Sequence, residues 1–370
     1  MKYYIIAGEA SGDLHAANMM KALKKIDAKS EFRFWGGELM ESVGGQLVKH
    51  YKDLAFMGFF EVVMNIRTIS RNLKFCKADI KRFNPHCLIF IDYPGFNLRI
   101  AKWAKKEGIK THYYISPQIW AWKESRINAI KRDIDKMYVI LPFEKGYYEI
   151  THTMPVNFVG HPLIDAIADR NPTDEILFRQ THGLNQKPII ALLPGSRKQE
   201  ISKMLSVMIS VVKSFSDYQF VIAGAPSQDP MFYSPFIENK NVYLIENDTY
   251  DLLSVAHAAV VTSGTATLET ALFKVPEVVC YKTSWISYEI GKRLVKLKYI
   301  SLVNLILDKE VVTELIQGAF NTKQLTKELN SILSGKRREE QFMAYHELET
   351  KLGGQGASFK VAELIYDSLK

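Results

Sequence analysis

Only three of the 370 residues are cysteine (Cys76, Cys87 and Cys280), an odd number set far apart, which provides neither a disulfide framework nor a C-x-x-C metal pair. A reducing compartment is the expectation. No stretch of 18 or more apolar residues occurs, and the apolar run in MKYYIIAGEASGD is too short for a signal-peptide core. The chain is therefore expected to be cytosolic and not to span a membrane. The first strand-to-helix loop lacks the G-x-G-x-x-G fingerprint, and no acidic residue closes a strand about 20 residues further on, which argues against a nicotinamide enzyme. The nine histidines show no H-x-x-x-H or related spacing, so no metal ion is expected. Internal repeats and low-complexity tracts are also missing.

What remains is an ordinary globular composition, 47% apolar and 24% charged, with enough length for about two domains at roughly 150 residues each. The 48 basic residues exceed the 40 acidic ones, a formal charge of +8. Such a surplus suggests an anionic partner, whether nucleic acid, an anionic membrane surface or a phosphorylated substrate, or else a lysine-rich solvated surface.

Short β-branched and aromatic runs alternate with longer amphipathic segments, the pattern of β-α units around a parallel sheet. Strands are expected at Tyr3 to Ala7, Phe32 to Trp35, Cys87 to Ile91, Thr111 to Ile115, Met137 to Leu141 and Asn157 to Val159, with helices near 13–26, 61–83, 96–107, 123–132 and 144–151. A polar stretch over 168–187 reads as a linker. A second series follows, with strands at Pro188 to Leu193, Gln219 to Ala223, Val242 to Ile245, Ala259 to Thr262 and Val278 to Tyr281. Helices fall near 199–215, 249–256, 265–273 and 284–296, and the tail from 308 reads as helices without strands, broken at Gly335 and at 353–356. The expectation is two doubly wound α/β domains, 1–167 and 188–345, sharing a cleft, with a helical tail whose last helix (358–370) could join the first domain. Ligands of open α/β sheets bind at the carboxyl ends of strands.

The loops at those ends carry the candidate chemistry. Gly8-Glu9-Ala10-Ser11-Gly12-Asp13 allows close backbone approach, with Ser11 or Asp13 available to cap the next helix. Asp92, delivered by the apolar strand HCLIFI, is either a desolvated general base or the cap of the helix near Gly95, and Asn97 could orient it in either role. Ser116-Pro117-Gln118-Ile119-Trp120-Ala121-Trp122 offers either a stacking wall for a sugar or acyl chain or a plug between loop and sheet. Leu193-Pro194-Gly195-Ser196-Arg197 and Ser263-Gly264-Thr265-Ala266-Thr267-Leu268-Glu269 each run from strand to helix. Together their small donors, helix N-termini and guanidinium favour a diphosphate site. Asp133-Ile134-Asp135 has the D-x-D spacing of a metal site but precedes a strand, so a solvated charged turn is expected there.

The segment 54–66 is rich in bulky apolar residues, among them Phe56, Met57, Phe59, Phe60 and Val63, and is followed by Arg67, Arg71, Lys74, Lys77, Lys81 and Arg82. This fits either a surface that meets an anionic bilayer and acyl chains or a core helix with a basic solvent face.

These motifs resemble, in order, those of the lipid-A-disaccharide synthase family: GEASGD, MGFFEV, IDYPGFN, YYISPQIWAW, LPFEK, FVGHPLID, LLPGSR, SGTATLE, GKRLVK and SLVNLIL, over about residues 3 to 317. The resemblance implies a GT-B glycosyltransferase fold and a peripheral membrane enzyme of Gram-negative bacteria. It implies transfer of 2,3-diacylglucosamine from UDP to the 6-hydroxyl of 2,3-diacylglucosamine 1-phosphate (lipid X), with inversion and with neither metal nor cofactor. It carries the essential aspartate onto Asp92 and an arginine onto Arg197. It puts Ser263, Gly264, Thr265, Glu269, Lys292, Arg293 and Asn304 at the nucleotide, and Ser11, Asn97 and Ser196 join the substrate-binding set. Gly95 stands where the family can have an acidic residue, and Val303 where it has proline.

Two other readings share this architecture: a non-hydrolysing UDP-sugar 2-epimerase, and a UDP-sugar or lipid-binding protein without turnover. Nucleic acid has no supporting motif. The oligomeric state, a homodimer included, stays open.

Overall fold

The computed structural model describes residues 1–54, 66–238, 241–284, 288–289 and 297–370. The chain divides into two compact units: Met1–Asp169 together with Leu352–Lys370, and Arg170–Lys351.

The described residues of the first unit form a parallel sheet of β1 (Lys2–Ala7), β2 (Glu31–Gly36), β3 (Gln46–His50), β4 (Cys87–Ile91), β5 (Lys110–Tyr114), β6 (Lys136–Val139) and β7 (Asn157–Phe158). The order is β3-β2-β1-β4-β5-β6-β7. Apolar residues along β1 and β4 alternate between two cores: Tyr4, Ile6, Leu88 and Phe90 face one, and Tyr3, Ile5, Ile89 and Ile91 face the other. Both faces are covered, which is why these strands read as near-continuous apolar runs. The second unit repeats the plan with β8 (Ile189–Leu193), β9 (Gln219–Gly224), β10 (Val242–Glu246), β11 (Ala258–Thr262), β12 (Glu277–Tyr281) and β13 (Thr313–Ile316), in the order β10-β9-β8-β11-β12-β13. Each sheet reverses its strand order once, between β1 and β4 and between β8 and β11. Such switch points open a crevice at the strands' carboxyl ends.

Four sequence expectations need correction. The tail is not free of strands, since Thr313–Ile316 pairs with β12 in parallel. Its four residues are too few and too mixed to show a period. Strand β3 was not expected, because QLVKH is a half-exposed edge strand whose Lys49 and His50 hide its alternation. The span 168–187 is no simple linker: Asp174 caps a helix at Glu175–Thr181, and the buried Arg179 donates to the carbonyls of Asn185 and Lys187. Neither Ser11 nor Asp13 caps the helix Ala10–Ile26, whose N-cap is Glu9 with no side-chain bond. Asp13 instead accepts from the backbone N–H groups of Gly37, Leu39 and Met40, tying the turn after β1 to the turn after β2.

The last helix, Ala357–Asp367, belongs to the first unit. Its Val361, Ala362 and Ile365 enter the core that holds Tyr3 and Ile5. Asp165 fixes its start by accepting from the N–H groups of Gly356 (2.6 Å) and Ser358 (2.7 Å).

Candidate functional site

In the first unit the loops after β1 and β4 meet at the switch point. Gly8 has no room for a side chain, since a Cβ there would lie 2.4 Å from the ring of Tyr93. Asp92 and Tyr93 are both left-handed, with φ of 42° and 48°, a conformation costly for such residues and held here by specific bonds. The carbonyl of Asp92 accepts from the Tyr113 hydroxyl (2.5 Å) and from the amide of Asn97 (2.7 Å), and its N–H donates to Tyr114 O (3.1 Å). The helix Pro94–Lys106 takes Tyr93 as N-cap without a side-chain bond, so the carboxyl of Asp92 is not spent on capping. Burial first, and then the negative charges of Glu9 and Glu144, push that carboxyl up to about 6, against the opposing pull of the Tyr93 backbone N–H and of Arg126. A carboxyl so placed accepts a proton near neutral pH better than an ordinary aspartate.

Asn97 is fully buried, and its amide also reaches the carbonyls of Ile91 and Ile6. Its Nδ2 fixes the backbone beneath Asp92, while its buried Oδ1 has no hydrogen-bond partner among the described residues. Ser11 is exposed in the first turn of its helix.

The tryptophan loop divides its labour. Trp120 donates to the buried carboxyl of Glu144 (3.3 Å) and stands edge-on to Phe143, while Ser116 donates to the same carboxyl. Burial raises the pKa of Glu144, and four hydrogen bonds, two of them from the N–H groups of Ile140 and Leu141, oppose that rise. Trp120 is thus a plug, whereas Trp122 is exposed.

In the second unit a cavity of about 310 Å³ lies at the carboxyl ends of β8, β9 and β11, lined by Gly195, Ser196, Thr262, Ser263, Gly264 and Thr265 and by the carboxyls of Glu200 and Glu269. Gly195 has φ of 99°, and a Cβ there would meet Glu200 at 2.7 Å, so only glycine lets the loop close on that carboxyl. Burial raises the pKa of Glu200, with Arg197 and the N–H groups of Arg197 and Ser196 opposing it. Glu269 is raised likewise by burial, and its carboxyl accepts from the Tyr250 hydroxyl (2.9 Å). Gly264 and Thr265 are exposed at the start of the helix Thr265–Leu272, and both line the cavity. Arg197 is the exposed N-cap of the helix Lys198–Ser210, at the cavity's rim and not among its lining.

Asn304, expected at the nucleotide, is not among the residues that line the cavity. It is fully buried and its amide is saturated: Oδ1 accepts from the N–H groups of Val311 and Val312, and Nδ2 donates to Val312 O and to Glu314. Glu314 in turn accepts from the N–H groups of Ile300 and Ser301, and Ile300 O accepts from the hydroxyl of Ser263 (2.7 Å). Among the described residues, this chain of hydrogen bonds links Asn304 to the cavity. No role was expected of Glu144, Arg126 or Glu314, and Glu9 and Glu200 stand in or beside the strand-end loops without one of their own. Glu144 and Arg126 lie within or a few residues from sequence motifs, whereas Glu314 lies on β13, which was not expected.

The Asp133-Ile134-Asp135 segment is solvated only in part, with Asp135 exposed and Asp133 buried. Asp133 is buried against Arg132, and Asp135 accepts from Thr111 and Lys105 at the amino end of β6, away from the switch point. Among the described residues no group of three or more acidic, histidine or cysteine side chains could hold a metal. Lys292, Arg293, Phe56, Met57, Phe59, Phe60 and Val63 lie outside the described residues. On the helix Ile66–Phe83, Arg67, Arg71, Lys74 and Phe75 are exposed, while Asn72, Cys76, Asp79 and Ile80 are buried. None of the described helices is long and apolar enough to cross a membrane.

The sequence profile of lipid-A-disaccharide synthetase matches residues 3–366. A lipid-A-disaccharide synthase of Syntrophus aciditrophicus is 40% identical, over 99% of this chain and 97% of its own. One of Coxiella burnetii is 37% identical, over 98% and 97%. Among solved structures, a UDP-GlcNAc 2-epimerase of Neisseria meningitidis bound to UDP-GlcNAc superposes with a TM-score of 0.66 at 14% identity, covering 100% of this chain and 99% of that one. A calicheamicin glycosyltransferase does so with 0.62 at 12%, covering 100% and 98%. At such identities these structures speak for the fold alone, two parallel sheets flanked by helices in the GT-B manner.

Proposed function

The chain belongs to the lipid-A-disaccharide synthase family, and from that membership we propose how its residues carry out the reaction. It is a glycosyltransferase that forms the lipid A disaccharide, and the epimerase alternative is not favoured. The donor is UDP-2,3-diacylglucosamine, the acceptor 2,3-diacylglucosamine 1-phosphate, and the products a β-1′,6-linked disaccharide 1-phosphate and UDP.

The observation that carries the mechanism is the Asp92 carboxyl at the first switch point, free of capping duty and held near 6. Asp92 takes the proton from the acceptor 6-hydroxyl as that oxygen attacks the anomeric carbon, and the anomeric carbon–UDP bond breaks on the opposite face, inverting the centre. The UDP diphosphate gains negative charge as it leaves. The second unit's loop Gly195–Arg197 and the helix start at Thr265 supply donors for it, with Lys292 and Arg293 as further cations, so that fixed protein charge does what a metal does in other transferases. Glu269 is placed to accept from a donor hydroxyl.

The exposed basic face of Arg67, Arg71 and Lys74 beside Phe75 supports peripheral attachment to an anionic bilayer, the inner membrane of a Gram-negative cell facing the cytoplasm. Phe56 to Val63 would add apolar contact with acyl chains.

The test is to mix synthetic UDP-2,3-diacylglucosamine with the phosphorylated acceptor and follow both products. Disaccharide and UDP should appear one for one. Release of a C2-epimerised donor without disaccharide would overturn the reading.

A further inference from the structure

The loop after β5 holds two cations that make no ion pair among the described residues. Trp122 stands 48% exposed, and Lys123 Nζ lies 4.1 Å from its ring centroid while the Arg126 guanidinium carbon lies 5.9 Å away. Cations settle on an indole face, but that attraction does not neutralise them. Among the described residues neither makes an ion pair; the exposed carboxyl of Glu124 lies 3.4 Å from His152, and that of Glu144 is taken by Ser116, Trp120 and two backbone N–H groups.

The position is costly for the proposed chemistry at rest. The charge of Arg126 acts on the carboxyl of Asp92 and on Tyr113, and it weakens Asp92 as a base while Glu9 and Glu144 strengthen it. An unpaired cation pair that opposes the base is understandable where a substrate anion completes it. Two cations within 4.1 and 5.9 Å of one indole centroid suit a dianion better than a carboxylate, and a guanidinium offers two parallel N–H bonds to phosphate oxygens.

We propose that Arg126 and Lys123 bind the phosphate monoester of the acceptor sugar, orienting its free hydroxyl toward Asp92 and setting acceptor specificity. This rests on the reading of the chain as the disaccharide-forming transferase. Once the phosphate is seated, it cancels the field of Arg126 at Asp92, so the acceptor itself restores the strength of the base that deprotonates it.

The experiment compares kcat/KM for 2,3-diacylglucosamine 1-phosphate with that for the analogue bearing a 1-hydroxyl, in the full-length protein and its Lys123→Gln/Arg126→Gln variant. UDP titration checks that the variant is folded. The unmodified protein should favour the phosphorylated acceptor by about tenfold or more, the worth of a charge-assisted bond. In the variant that ratio should collapse toward one through a raised KM, and Arg126→Lys should restore part of it. An unmodified protein without preference, a variant that keeps the preference, or one that loses both acceptors equally overturns the proposal. Failure of the unmodified protein to make disaccharide from either acceptor would instead remove the functional reading on which the proposal stands.

Discussion

The buried amide of Asn97 donates to the backbone carbonyl of Asp92 at 2.7 Å, holding from below a residue whose own φ is 42°. The side chain that the sequence offered as a ligand is thus the support of the proposed base. Asn97→Leu should lower kcat about tenfold or more, because the Asp92 carbonyl loses its donor and the strained loop can relax. Combined with Asp92→Asn it should add almost nothing, since the two act as one unit. A double-mutant cycle on turnover, with UDP affinity as the control, measures this.

Asp92→Asn should reduce turnover by at least about a hundredfold while leaving UDP affinity nearly intact. Comparable turnover in that variant would remove Asp92 from the base role.

The same carboxyl gives a pH signature. It must be unprotonated to act, so kcat/KM should rise with pH through about 6 and level off above it. Glu9→Gln removes a charge that raises this value, so the acidic limb should move to lower pH. Stability runs the other way. The carboxyl goes from an ordinary 3.8 to about 6 on folding, so its favourable contribution is complete below about pH 4 and is lost as pH rises through 6. Asp92→Asn should therefore stabilise the fold at pH 8, by on the order of 1 kcal/mol, as it abolishes activity. Thermal melts at pH 5 and pH 8 test the sign.

Asn304→Ala should act on stability first. It strands two N–H groups and the Val312 carbonyl in a dry interior, a cost of roughly 2–4 kcal/mol. The UDP dissociation constant should change less than for Ser263→Ala, because Asn304 does not line the cavity and is linked to it through Glu314 and Ile300. Calorimetric Tm beside UDP titration separates the two effects.

Reversing Arg67, Arg71 and Lys74 to glutamate should abolish co-sedimentation with vesicles containing anionic lipid and leave UDP binding untouched. For the unmodified protein the binding should weaken as salt rises, since exposed charges are screened within about 8 Å at physiological ionic strength.

The strand-end loops were legible because buried parallel strands write themselves as apolar runs, and the residue that follows such a run must lie at the sheet's rim. Asp92 after CLIFI and Gly195 after IIALL are of this kind. What the sequence hid was the occupation of polar atoms. The partners of Asn97 and Asn304 are mostly backbone groups, five to ten residues away or as far as Ile6, and backbone groups carry no mark in a sequence. β3 and β13 were missed for a related reason: an edge strand keeps polar residues on one side, and four residues hold too little periodicity.

The return of Ala357–Asp367 to the first unit bears on how the polypeptide is made. The second unit is contiguous in sequence and complete once Lys351 has left the ribosome, whereas the first unit lacks Val361, Ala362 and Ile365 until the segment after it is released. Domains generally fold as units in order of synthesis. Here the earlier-translated half must wait for residues 357–367, the apolar face beside the helix Ala10–Ile26 uncovered, so a variant lacking 357–370 should yield aggregation of the first unit and not a shortened enzyme.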